Sequence, residues 1–224
     1  MRIRLRRQGD PRQGKELYGI RRPRATRRSD PRRQKMSDYS RHALIARLVR
    51  AMRNKDSWTA RTQIHKSLFA LQVLFSLPEQ LALPFTLYRH GAYSFELDQQ
   101  IREMEFYDAL RPERHLHYGP RYVPTSGGEM LIEKHGPAAR PWQPAIDFIA
   151  NRVSTKNVRQ LEALSTVMWV STEEHGDQRP DKSAIIVRVR ELKPHLGEQE
   201  VDAAYVEFLR LREEAARIST PAAA

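Results

Sequence analysis

A chain of 224 residues with 39 Lys/Arg against 27 Asp/Glu, a formal charge of +12, is long enough for one sizeable domain with a real core. It has no cysteine, which excludes disulfides, thiolate nucleophiles and cysteine-based zinc sites and suits a reducing compartment. No apolar run approaches the ~20 residues that span a bilayer and the N-terminus lacks the apolar stretch of a secretory signal, so a cytoplasmic protein is expected.

The charge is unevenly placed. Residues 1–35 hold 14 Lys/Arg against Asp10, Glu16 and Asp30, a local +11, and the remainder is nearly neutral at 25 basic against 24 acidic residues. This segment has twelve Arg, three Pro and three Gly without apolar periodicity, so disorder is expected there. Three readings of it stand side by side: an Arg-rich arm for nucleic acid, a transit peptide, or an extension ahead of a true start at Met36. The folded domain is placed at residues 36–217, with a winged core over about 40–135, a helical extension over about 141–216 and a frayed end at 218–224.

From Tyr39 onward the apolar spacing is mostly helical. Leu44, Leu48 and Met52 mark one helix, and Ile64, Leu68, Leu71 and Phe75 mark the next. Asp56, Ser57 and Thr59 offer N-caps between them, and Pro78 ends the second. FTLY (Phe85 to Tyr88) alternates as a short strand. Gly91 then supplies backbone freedom for a turn, and Ser94 caps a helix whose face is Leu97, Ile101, Met104 and Tyr107, stopped by Pro112. His115 to Tyr118 and Arg121 to Pro124 read as a two-stranded wing around Gly119-Pro120, followed by Ser126 as cap of a short helix. Pro144 to Val153 and Asn157 to Val170 are helical, as are the segments marked by Ile185, Val189 and Leu192 and by Val201, Tyr205, Phe208 and Arg212. The fold class expected is mostly α (α+β), with a winged helix-turn-helix-like core, a small β wing and a helical C-terminal extension.

TARTQIHKSLFALQ (Thr59 to Gln72), LYRHGAYSFELDQQI (Leu87 to Ile101), RYVPTSGGEML (Arg121 to Leu131) and ELKPHL (Glu191 to Leu196) resemble the YwgA-like group of uncharacterised prokaryotic proteins. More distantly they resemble the Panacea, or SocA-like, antitoxin domain. The likeness spans roughly residues 57 to 215. Arg61, Thr62, Ile64 and Lys66 match the family's helix motif, and Arg89, Gly91, Tyr93 and Ser94 match its turn, although Ala92 stands where the pattern has proline. The resemblance implies a helical domain with winged-helix features and a non-enzymatic role: a protein-binding antitoxin or adaptor, in a toxin-antitoxin or phage-defence setting.

The sharpest catalytic pattern is PDKSAIIVRVRELK, in which Asp181, Glu191 and Lys193 follow the order of metal-dependent nucleases of the PD-(D/E)xK type. That alternative needs the segment to be a β-hairpin. If it is a helix, Asp181 and Glu191 lie about 15 Å apart and share no ion, and the flanking helical patterns favour helix. His115 and His117 form an H-x-H pair without a third ligand apart from Glu113; Glu173, Glu174, His175 and Asp177 read as a solvated charge run, and Ser126-Gly127-Gly128 lacks the phosphate-loop pattern. No metal or cofactor site is expected.

For partners, a protein such as a toxin or adaptor target stands first, no membrane is expected, and nucleic acid is the alternative. The latter would use the basic tail and Arg41, Arg47, Arg50 and Arg53, extended by Lys55, Arg61, Lys66, Arg89, Arg114 and Arg121, as in a winged-helix transcriptional regulator. Against it, the helix after Ser94 carries Glu96, Asp98, Glu103, Glu105 and Asp108 against Arg102 alone, and a phosphate-lined groove repels it. The binding surface expected for a protein partner combines Arg61, Lys66, Tyr88, Arg89, His90 and Tyr93, with Gly91 and Ser94 shaping the turn.

Overall fold

A computed structural model describes residues 31–115, 119–174, 181–218 and 220. The order is α1 (Pro31–Arg53), α2 (Arg61–Phe75), β1 (Thr86–Tyr88), β2 (Gly91–Tyr93), α3 (Phe95–Phe106), β3 (Leu110–Glu113), β4 (Arg121–Pro124), α4 (Ser126–His135), a 3-10 turn (Arg140–Trp142), α5 (Gln143–Arg152), α6 (Val158–Trp169), a π turn (Val170–Glu174), α7 (Lys182–Leu192) and α8 (Glu198–Ala215). The protein is mostly helical with two small antiparallel ladders. Of the tail expected at residues 1–35, residues 1–30 lie outside the described residues, and α1 begins at Pro31.

Three helices form the interior. Residues 42–49 of α1, 63–71 of α2 and 161–168 of α6 are buried without interruption, as expected of helices enclosed on all sides rather than on one stripe. Helix α1 packs against α4, α5 and β4, α2 lies against α5, α6 and β2, and α6 is covered by α8 and β2. One apolar cluster runs from Leu44 and Leu48 through Ile64, Leu68 and Leu97 to Val167, Phe208 and Leu211.

Several local expectations change. Asp56, Ser57 and Thr59 do not cap α2, whose N-cap is Ala60 without a side-chain bond. Ser57 instead donates to Ser154 O at 2.5 Å. Thr59 is buried, donates to Tyr122 O at 2.6 Å and accepts from Tyr122 N at 2.9 Å. Helix α3 ends at Phe106, not at Pro112: Asp108 adopts a left-handed φ of 50° there. Tyr107 is therefore the exposed C-cap rather than part of the buried face.

The strand that pairs with Arg121–Pro124 is Leu110–Glu113, not the His115 to Tyr118 expected for a wing; residues 116–118 lie outside the described residues. Pro112 fits a strand because it faces Tyr122, whose N–H and C=O are both turned toward Thr59. The pair is thus a non-hydrogen-bonded one, and the missing proline donor costs nothing. The cap of α4 is Thr125 rather than Ser126, and Gly127 and Gly128 permit its backbone to approach the carbonyls of Asp108 and Ala109. The single strand expected at Phe85 to Tyr88 is a hairpin, and β1 pairs only with β2, apart from the β3–β4 ladder. No helix of the described residues is long and apolar enough to cross a membrane.

Candidate functional site: a hairpin seated on buried lysines

The β1–β2 hairpin turns through Arg89 and His90, with Tyr88 opposite Gly91, Leu87 opposite Ala92 and Thr86 opposite Tyr93. Alternation places Leu87 and Ala92 on the inner face and Thr86, Tyr88 and Tyr93 on the outer. Ala92 is fully buried and Tyr88 is 46% exposed. The approach to β1 is fixed by Gln72, whose side-chain amide exchanges two hydrogen bonds with the backbone of Leu83, at 3.1 and 3.0 Å. Gly91 is required at the turn. Its φ is +89°, and a Cβ there would run into Ser165 Oγ of α6 and lie 3.3 Å from Glu162 O.

Two lysines hold the hairpin from beneath. Lys66, 3% exposed, donates to Ala92 O at 2.6 Å. Lys193 donates to Tyr88 O at 2.6 Å and also to Arg89 O. Their shared counter-charge is Glu162, buried on α6, which stands 3.9 Å from Lys193 Nζ, 3.2 Å from His195 Nε2 and 3.9 Å from His90 Nδ1. Burial pushes the Lys66 ammonium down to about 8, with Glu162 opposing and Lys193 reinforcing the shift; burial lowers Lys193 too, against Glu162. Such ammonium groups are held because backbone carbonyls and one carboxylate replace their water.

Next to this seat, Ser94 caps α3, its side chain accepting from Leu97 N at 3.1 Å. Its own N–H donates to His65 Nδ1 at 3.2 Å, which leaves the ring proton on Nε2, a buried atom without a hydrogen-bond partner. Desolvation lowers His65 to about 3, with Lys66 and Arg61 acting in the same direction and Asp98 against it. The ring stacks on Tyr93 at 4.3 Å and 5°. Tyr93, Tyr88 and Phe95 then form a cluster with centroids 5.0 to 5.7 Å apart, edge-to-face where Phe95 meets each tyrosine and tilted between the tyrosines, in which Phe95 is 62% exposed. The Arg89 guanidinium lies 5.9 Å from the Tyr88 ring.

Arg61 belongs to a separate knot. It donates to Asp98 at 2.5 Å, Glu105 at 2.7 Å and the Tyr122 hydroxyl at 2.8 Å. Burial works against its charge, but Tyr122 and Asp98 hold its pKa above the ordinary value. It ties α2 to α3 and β4 and presents no free fork to a partner.

A scan against protein-family models and a search of curated proteins return no match to this chain.

The structure thus gathers Lys66, Tyr88, Arg89, His90 and Tyr93 around one hairpin, with Lys66 inside as a support rather than a contact. Several of the arginines expected on a basic face are engaged within the protein: Arg41 with Glu96, Arg47 with Gln143, Arg50 with Glu129, and Arg53 and Arg121 both with Glu113. The local excess of positive charge along α1 is balanced by acids from α3, α4 and β3 that are distant in sequence. Asp181 to Lys193 does not form the hairpin that the nuclease reading needs. Asp181 is the N-cap of α7, Glu191 pairs with Arg188 at 3.0 Å, and Lys193 is the C-cap turned onto the hairpin. His115 packs edge-on against Trp58; Glu174 pairs with Arg188 at 2.7 Å; His117, His175 and Asp177 lie outside the described residues.

Sequence reasoning missed Glu162, His195, His65 and Phe95. Three of them had a faint signal: Glu162 is a lone carboxylate in the apolar run LEALSTVM, and His65 is a titratable residue amid TQIHKSLFA. Phe95 is an aromatic at the first turn of a helix, ahead of its apolar face.

Proposed function

We propose that this chain is a non-catalytic binding protein of the antitoxin or adaptor kind, working in the cytoplasm through the outer face of the β1–β2 hairpin. The observation that carries the reading is the exposed Tyr88–Phe95 pair with Arg89 beside it, on a hairpin immobilised by buried Lys66 and Lys193. Aromatic and arginine side chains in a rigid frame are the types that concentrate binding energy at protein contacts, because little conformational entropy is lost when they are covered. The resemblance of the Thr59 to Gln72 and Leu87 to Ile101 segments to YwgA-like and Panacea/SocA-like proteins supports the same role. We read the α1 to β4 portion as winged-helix-like on its element order, serving protein contact rather than DNA. The engagement of Arg41, Arg47, Arg50 and Arg53 by groups within the chain favours that choice.

The test is co-expression of the full chain with the products of neighbouring genes, followed by purification. A partner should remain bound in 0.5–1 M salt, conditions that screen surface charge to a Debye length of about 3–4 Å. It should be lost from a Tyr88→Ala/Phe95→Ala variant whose thermal unfolding is unchanged. Retention of the partner by that variant, or binding of a DNA fragment with a steep fall as salt rises, refutes the proposal.

A further inference from the structure

The hairpin has an edge as well as a face. In a two-residue-loop hairpin closed by Tyr88 and Gly91, the closing pair exchanges both backbone hydrogen bonds and the next pair, Leu87 with Ala92, exchanges none. The amide and carbonyl of Leu87 and Ala92 therefore point away from each other. On the Ala92 side the outward carbonyl is taken by Lys66 Nζ at 2.6 Å. On the Leu87 side nothing among the described residues bonds the outward N–H or C=O, and β1 has no strand neighbour other than β2. Thr86 and Tyr88 on either side are exposed. Natural sheets blunt such an edge by shortness, charge, proline or a bulge; β1 is short, at three residues, but has no proline or lysine within it and no bulge in its register.

Cations outnumber carboxylates around this edge. Arg89, Lys193 and Lys66 stand with the single buried carboxylate of Glu162, and His90, 75% exposed at its side chain, sits at the tip. No ion pair of the Arg89 guanidinium with a carboxylate is found among the described residues; it lies 5.9 Å from the Tyr88 ring. Resting on the protein-binding reading above, we infer that the partner adds an extended strand to the free edge of β1, hydrogen-bonded to the backbone of Leu87. Its acidic side chains lie toward Arg89 and His90, and an apolar side chain lies over Tyr88 and Phe95. The outward Leu87 groups supply register, the aromatic cluster supplies apolar contact, and the cationic tip selects an acidic sequence.

A displayed library of random linear peptides, panned on the full chain, tests this. Acidic peptides with an apolar residue at alternate positions should be enriched. Their binding should fall about tenfold or more with Leu87→Pro, which removes the outward N–H while sparing the ladder pairs, and should weaken with Arg89→Gln. Methylation of alternate backbone nitrogens of the selected peptide gives the same reading from the peptide side, where folding of the chain is not at issue. Binding that needs Tyr88 and Phe95 but ignores both Leu87→Pro and peptide methylation overturns strand addition and leaves the aromatic surface standing. Binding indifferent to Tyr88, Phe95 and Leu87 overturns both. Failure to enrich any peptide, or enrichment of basic ones, overturns the inference made here.

Discussion

Replacement of Lys66 by Met tests the seat of the hairpin directly. The amine is 3% exposed, donates to Ala92 O at 2.6 Å and has its pKa pushed down from 10.5 to about 8 by burial. In the unfolded chain it returns to its ordinary value, so between pH 8 and pH 10.5 the unfolded state holds a proton that the folded state has released. Stability must then rise with pH across that window; the penalty for keeping the ammonium buried is full below pH 8 and relieved above it. The free-energy difference implied between pH 7 and pH 9.5 is about 2 kcal/mol. Methionine has similar length and no charge, so Lys66→Met removes this pH term. It leaves Ala92 O unpaired at a cost of about 1–3 kcal/mol, which roughly offsets the relieved penalty at pH 7. The measurement is urea unfolding followed by tryptophan fluorescence, for which buried Trp142 is a suitable reporter. The two proteins should be close in stability at pH 7, and the native chain should gain about 2 kcal/mol over the variant by pH 9.5. The desolvation of Lys193 is common to both proteins, and its repulsion of the Lys66 ammonium is part of the effect that the variant removes. A difference that stays constant from pH 7 to pH 9.5 would show that Lys66 is not a depressed, charged amine, and the electrostatic account of the seat would fall.

Gly91→Ala should cost about 2–4 kcal/mol, from a left-handed φ and a collision with Ser165 Oγ; adding Ser165→Ala should recover the steric share, and thermal unfolding of the double variant below that of Gly91→Ala counts against the assignment. Arg61→Lys keeps the charge but not the fork that reaches Asp98, Glu105 and Tyr122, so a loss of about 1–3 kcal/mol is expected in urea unfolding. His65, lowered to about 3, stays neutral in the folded state while the unfolded ring protonates below pH 6.5, so stability is full above pH 6.5 and declines toward pH 3. His65→Asn should flatten that acid slope by as much as ~1.4 kcal/mol per pH unit even though it is less stable at pH 7; an unchanged slope places the acid sensitivity elsewhere. Asp181→Ala removes only an exposed helix cap and should lower the thermal unfolding temperature slightly.

The helices were legible in the sequence because their signals are local. Ile64, Leu68, Leu71 and Phe75 recur at helical spacing, Ser94 provides a cap that the structure retains, and Gly91 announces a turn that only a residue tolerant of positive φ can make. Hydrophobic spacing also favoured helix over hairpin for Lys182 to Leu192, against the β-branched run within it. What tertiary structure alone decided is the pairing of charges. Nothing near Lys66 or Lys193 in sequence says that both amines bury against one hairpin around a glutamate from α6, or that the arginines of α1 are met by Glu96, Glu129 and Glu113. Local propensity acts over a turn or two of backbone, whereas the desolvation and neutralisation of a buried ion depend on which distant groups the fold brings within about 4 Å. The same limit explains the wing: the place of Pro112 in a strand depends on Tyr122 having turned its backbone to Thr59, a contact between segments that no pattern within either one encodes.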